Sequence, residues 1–185
     1  MKKGLIFVLT STLLLTALTS CGIFKRSRYV NMSPEELSSL SDEKLLEAVV
    51  ARIEKKMDKY GELSLGFEAL SQPEKLVFAI DYYTLELDNG GLCQFFVNSS
   101  RIAAPYVSEY LGTLGATDHK ALYDAFVLNN GIDLNDLSSF NIDDASEYLR
   151  LYESYPFEEY DGAFYQLPHL NTYLVKYVRA HVGEL

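Results

Sequence analysis

The side chains able to do chemistry are few and far apart. Besides Cys21 the chain has one cysteine, Cys93, inside the stretch LDNGGLCQFFVNSS from Leu87 to Ser100. A thiol becomes a nucleophile when a base or a cation stabilises its thiolate. The neighbours of Cys93 are Leu92, Gln94, Phe95 and Phe96, which is the setting of a buried, inert thiol. An enzyme using Cys93 would need a histidine brought in from elsewhere in the fold, and is the lesser alternative. His119, His169 and His181 share no metal-ligand spacing, and the sequence has no CxxC, HExxH, GxGxxG or P-loop motif. No metal or cofactor is expected. Glu158 and Glu159 beside Asp161 are the nearest thing to a glycosidase pair, but such a pair needs a groove that separates two pKa values. The residue types point to binding rather than to catalysis.

Cys21 carries a different chemistry. Lys2 and Lys3 form a basic start, Gly4 to Ala17 an apolar run, and Leu18-Thr19-Ser20-Cys21 follows at once. This order reads as an export signal over residues 1–20, and the tetrapeptide resembles the lipobox of bacterial lipoproteins, whose cysteine is acylated. A transmembrane anchor fits less well, because the apolar run stops short of about 20 residues and contains Ser11, Thr12 and Thr16. Lipid on Cys21 together with Lys25, Arg26 and Arg28 would supply the two signals that stable membrane attachment needs. The expected location is the bacterial cell envelope. Gly22, where an aspartate could stand, favours the outer membrane in a Gram-negative organism.

The formal net charge is −10, and the leader contains two lysines and no acid, so the exported chain is more acidic still. That balance argues against direct nucleic-acid binding, which needs clustered Lys and Arg. It permits a basic protein partner. The densest acidic region holds Asp133, Asp136, Asp143, Asp144, Glu147, Glu153, Glu158, Glu159 and Asp161 against the single cation Arg150. Asp143, Asp144 and Glu147 are expected on one helix face, where like charges repel by a few tenths of a kcal/mol, a cost compatible with a field used to attract a cation-rich partner. The competing expectation is a solvated face on an envelope scaffold. Tyr148, Tyr152, Tyr155, Tyr160, Tyr165, Tyr173 and Tyr177 divide between core and interface anchors. With one thiol left after lipidation, no internal disulfide forms. The sequence does not fix an oligomeric state and is compatible with a dimer.

Helices must position all of this. Residues 21–32 read as a tether, and the folded domain, 33–185, opens at Ser33-Pro34-Glu35-Glu36 with a capping box. A second helix starts at Ser41-Asp42-Glu43. It carries Leu45, Leu46, Val49, Val50, Ile53, Met57 and Tyr60 as one stripe before Gly61. Ser71-Gln72-Pro73-Glu74 repeats the start signal, and Leu76, Val77, Ile80, Tyr83 and Leu87 continue it to Asn89-Gly90. Further helices are expected over 91–98, over 102–114 up to Gly115, over a segment that Thr117 caps and that runs through Asn129-Asn130-Gly131, over 143–152, and from Leu170 to His181. No stretch alternates with period two. The fold class is all-α, a compact single-domain bundle of short helices joined by Gly, Asn and Pro turns.

The glycine pair can end one helix and begin another. Leu92, Phe95 and Phe96 then pack inward, Gln94 and Asn98 share a face, and Asn98-Ser99-Ser100 offers caps to the next helix. Asn89, Gly90, Gly91, Gln94, Phe95, Phe96 and Asn98 thus form a structural motif. The run resembles the "NGG…Q-aromatic-F-x-N-S" signature of the bacterial DNA-mimic protein family. The ending YDGAFYQLPHLNTYLVKYVRAH, Tyr160 to His181, is similar to that family's ending, so the likeness spans about residues 40–183. It implies a helical, acidic, non-enzymatic molecule that occupies the DNA-binding surface of a basic protein. The family's representative works in the cytoplasm, whereas this chain begins with a lipoprotein-type leader.

Overall fold

The computed structural model describes residues 29–185. The expected signal, Cys21 and most of the tether lie outside those residues. Among the described residues there is no strand, and no helix is long and apolar enough to cross a membrane.

The same residues form nine α-helices in the order α1 (Pro34–Ser38), α2 (Asp42–Met57), α3 (Leu63–Glu68), α4 (Gln72–Val97), α5 (Ala104–Thr113), α6 (Thr117–Asn129), α7 (Ala145–Ser154), α8 (Phe157–Phe164) and α9 (Asn171–Ala180). The capping boxes are formed as the sequence demands. Ser33 and Ser71 each accept from the backbone N–H three residues on, while Glu36 and Glu74 reach back to the cap N–H. In α2 the buried stripe is Leu45, Leu46, Val49, Ile53 and Met57, widened by Ala48 and Ala51. Tyr60 leaves it. A 3₁₀ turn over Asp58–Tyr60 follows α2, tightening the rotation per residue, so Tyr60 swings to solvent before Gly61 stops the chain at φ 72°.

The long helix α4 is the axis of the domain. Its Phe78 and Tyr82 stack on the α2 side, while Tyr83 meets Phe95, Tyr123 and Phe164 edge-on. Phe96 stacks on Phe140 with ring centres 4.7 Å apart, and Phe126 packs against both Phe157 and Tyr160 at 5.2 Å. These offset and edge contacts match the quadrupoles of the rings. The single core therefore runs through α4 and joins the two ends of the domain.

The expected break is present: Gly90 and Gly91 leave helical geometry, so α4 is two helices joined at a kink, the second of them the helix expected over 91–98. Other local expectations change. Thr117 is the first residue of α6, with Ala116 before it, and makes no cap bond. Asp143 and Asp144 precede α7, so they do not share a helix face with Glu147. Their geometry is cooperative: the Asp143 N–H donates to Glu147 Oε2 at 2.7 Å, and Asp144 Oδ1 accepts from the N–H groups of Ser146 and Glu147.

Candidate functional site: the glycine break and the acidic face

At the break, Gly90 keeps an extended φ of −163°, but Gly91 has φ 81° and ψ −177°, a combination essentially confined to glycine. Breaking a helix leaves carbonyls unsatisfied before the gap and amides unsatisfied after it. Helix α8 and the residue that follows it supply both missing partners. Asp161 Oδ1 accepts from the Leu92 N–H at 2.9 Å, and the Tyr165 hydroxyl donates to the Leu87 carbonyl. The fit is close enough that a Cβ on Gly91 would collide with the Asp161 carboxylate. His169 Nε2 stands 3.1 Å from Asp88 Oδ2 beside the same break.

The polar residues after the glycines converge on one carboxylate. Glu86 Oε2 accepts from Gln94 Nε2 at 2.8 Å and from Asn98 Nδ2 at 2.7 Å, and Glu86 Oε1 accepts from the Ser100 hydroxyl at 2.7 Å. Asn98 and Ser100 therefore serve Glu86, and neither the 3₁₀ turn after Asn98 nor α5 has a side-chain cap. Phe95, Phe96 and Cys93 point into the core. Burial pushes the Cys93 thiol up to about 11, a hydrogen bond with Tyr148 only partly opposing it. At neutral pH Cys93 is a protonated thiol with no exposed surface.

Sequence groups Asp161 with the acidic surface, yet its carboxylate turns inward. Burial raises its pKa, and the Leu92 N–H pulls the other way. The sign of the pH effect follows. A carboxyl whose native pKa exceeds its unfolded value binds its proton more tightly when folded, so ionisation costs stability as pH rises from near 4 through the native value. Asp161→Asn, which retains an acceptor for Leu92, is expected to remove that part of the pH dependence while leaving the fold intact. Urea melts of both proteins between pH 4 and 7 check this.

Tyr160 is equally internal. Its hydroxyl bonds that of Tyr83, and burial raises both phenols. Tyr123 donates to the Ala104 carbonyl at 2.9 Å. Of the tyrosines flagged by sequence, Tyr165 is the one well exposed, whereas Tyr148, Tyr152, Tyr155, Tyr173 and Tyr177 are half-buried against the core.

The remaining acids lie on the surface around α7 and α8. Asp133, Asp136, Asp143, Asp144, Glu153, Glu158 and Glu159 are exposed and Glu147 is half-buried. Four of them are held in place. Asp133 Oδ1 accepts from the Asn135 N–H at 2.9 Å, Asp136 Oδ1 from the Ser138 N–H at 3.0 Å, and Asp144 and Glu147 are fixed at the start of α7. The Ser138 hydroxyl and N–H lower the pKa of Asp136. The Ser146 hydroxyl and the N–H groups of Glu147 and Ser146 do the same for Asp144. Arg150 reaches Glu147 only at 3.5 Å, across exposed surface. Among the described residues no group of three or more His, Cys, Asp or Glu side chains is placed to hold a metal ion.

The fold and this geometry define an acidic, all-helical domain whose glycine motif and C-terminal YDG segment clasp each other across α4. Residues 68–181 match the family of DMP19-like proteins, and the chain belongs to that family. Both clasped stretches fall inside the matched region. Neither a curated protein nor a solved structure matches the chain.

Proposed function

We propose that this chain is a non-enzymatic binding module of the DNA-mimic type, held at the bacterial envelope by lipid on Cys21 and engaging a basic protein. Membership of the DMP19-like family supports the type. The observation that carries the mode of action is the fixing of surface carboxylates by backbone N–H groups at Asp133, Asp136, Asp144 and Glu147. DNA offers a basic protein a set of anions at fixed positions. Carboxylates on freely rotating side chains would have to be ordered on binding, at about 0.5–1.5 kcal/mol for each. Here local bonds hold several of them beforehand, and at Asp136 and Asp144 the same bonds lower the pKa. Steering by the field and contact with half-buried tyrosines would divide on-rate from affinity.

Neutralising charge without removing caps tests the reading. In Asp143→Asn/Asp144→Asn/Glu147→Gln the amides still accept backbone bonds, so α7 should persist. Affinity for a basic envelope protein retained by the wild type should fall about ten-fold or more at low salt, as each surface charge contributes up to roughly 1 kcal/mol. It should also lose much of its salt dependence. Equal retention by both proteins would instead favour an envelope scaffold, a reading to which the structural employment of Asp161 already lends weight. The anchor is tested separately. Wild type should partition with membranes and into detergent, and Cys21→Ser should not.

A further inference from the structure

Phe140 and Phe157 are both buried, yet none of the sixteen residues between them, 141–156, is buried. Helix α7 lies in this stretch and, alone among the nine α-helices of the described residues, buries no side chain. It rests on the domain through the half-buried Tyr148, Leu151 and Tyr152. Tyr152 stacks on Phe157 with ring centres 5.8 Å apart, and Tyr155 lies 5.5 Å from the rings of both Phe140 and Phe157. Most of the stretch's side-chain hydrogen bonds are internal. Asp144 and Glu147 serve its own N–H groups, Arg150 reaches Glu147, and the Ser154 hydroxyl donates to the Arg150 carbonyl at 2.7 Å. Two ties lead out of it: Arg101 to the Asn141 side chain at one edge, and Tyr148 to the Cys93 thiol at the centre. At the other edge Tyr155, with φ −133° and ψ 155°, has already left the helix.

Few buried apolar contacts and exposed backbone hydrogen bonds mark the parts of a protein that open without global unfolding. Charge acts in the same direction. The stretch holds Asp143, Asp144, Glu147 and Glu153 against Arg150, and on its inner side the Tyr152 phenol is raised by burial and then by the Asp161 and Glu158 carboxylates of α8. The two sides of the contact therefore share a sign, and like charges repel until salt screens them. We propose that residues 141–156 are a strap, pinned at Phe140 and Phe157, that lifts as a unit to uncover Cys93, and that cations bridging its acids to those of α8 close it. Its internal bonds travel with it, so Asp143, Asp144 and Glu147 keep their mutual arrangement as it moves. Closure by a basic protein rests on the binding reading above, whereas the opening is a property of the chain alone.

Alkylation of the full chain by iodoacetamide in neutral detergent tests the strap, with mass spectrometry following the Cys93 peptide so that Cys21 is not counted. A lifted state populated at about 0.1–10% makes Cys93 react about 10–1,000-fold more slowly than in the urea-unfolded chain. Below the unfolding transition the rate should change little with urea, because the opening exposes little surface. Amides of 145–154 should exchange through the same opening, while those of 76–87 in α4 stay protected. Spermine at low salt should slow alkylation about three-fold or more in wild type, and much less in Asp143→Asn/Asp144→Asn/Glu147→Gln. Alkylation that follows the urea dependence of global unfolding, or that proceeds while the amides of 145–154 stay protected, would overturn the opening. A rate that spermine leaves unchanged, or slows equally in the two proteins, would overturn closure by cations. No basic protein enters either measurement, so failure of the strap and failure of the binding reading are read apart.

Discussion

Gly91→Ala should destabilise the domain by about 3 kcal/mol or more, the largest single effect expected outside the hydrophobic core. Two costs add. A residue with a Cβ held at φ 81° and ψ −177° carries about 1–3 kcal/mol of strain. The same Cβ displaces the Asp161 carboxylate, and leaving the Leu92 N–H without its acceptor costs about another 1–3 kcal/mol. Urea unfolding followed by circular dichroism measures the sum. A double-mutant cycle divides it: in an Asp161→Ala background the steric part is already gone, so the penalty for Gly91→Ala should shrink. A penalty under about 1 kcal/mol in the wild-type background would show that the break between α4's two halves relaxes freely.

Glu86→Ala should cost about 2–3 kcal/mol, because three donors lose a charged acceptor together. Gln94 and Asn98 can turn toward water, whereas the Ser100 hydroxyl is buried and has nowhere to turn. Glu86→Gln should fall between, since its amide group presents one oxygen and one donor where three donors converge. Loss of amide protection from hydrogen exchange is expected to concentrate in residues 94–104. An unchanged melt for Glu86→Ala would mean that the polar residues of the motif are serving something other than the fold.

The contrast between these two sites shows what a sequence discloses. Ser33 and Ser71 announce their helices because a capping box is contained within four residues, and the glycine break is visible because Gly90 and Gly91 interrupt a regular stripe. The partners of the break are not visible. Asp161 meets Leu92 across 69 residues and Tyr165 meets Leu87 across 78, and no local pattern encodes which acid of a dense cluster turns inward. The cluster around Glu86 is hidden for a related reason: Gln94 and Asn98 share a face by period, but the break at Gly91 re-aims that face toward a residue of the preceding turns. Helices α3 and α8 also leave little trace. Both are short, and neither has a side-chain cap at Glu62 or Pro156. In α8 the one periodic sign is the spacing of Phe157, Tyr160 and Phe164, all of them buried. The acid cluster is legible as charge, but its division into caps, an internal clasp and a surface array requires the fold.

The central proposal is that the α7–α8 acids meet a basic protein. Its most direct test is site-specific photo-crosslinking in cells, with the photoreactive residue placed at Glu153 or Glu158 on the acidic face and, as the control, at exposed Thr113. The predicted result is an adduct with a protein of high isoelectric point from the acidic-face positions alone, abolished by Asp143→Asn/Asp144→Asn/Glu147→Gln. No adduct from Glu153 or Glu158, or the same adduct with the three charges removed, would contradict it.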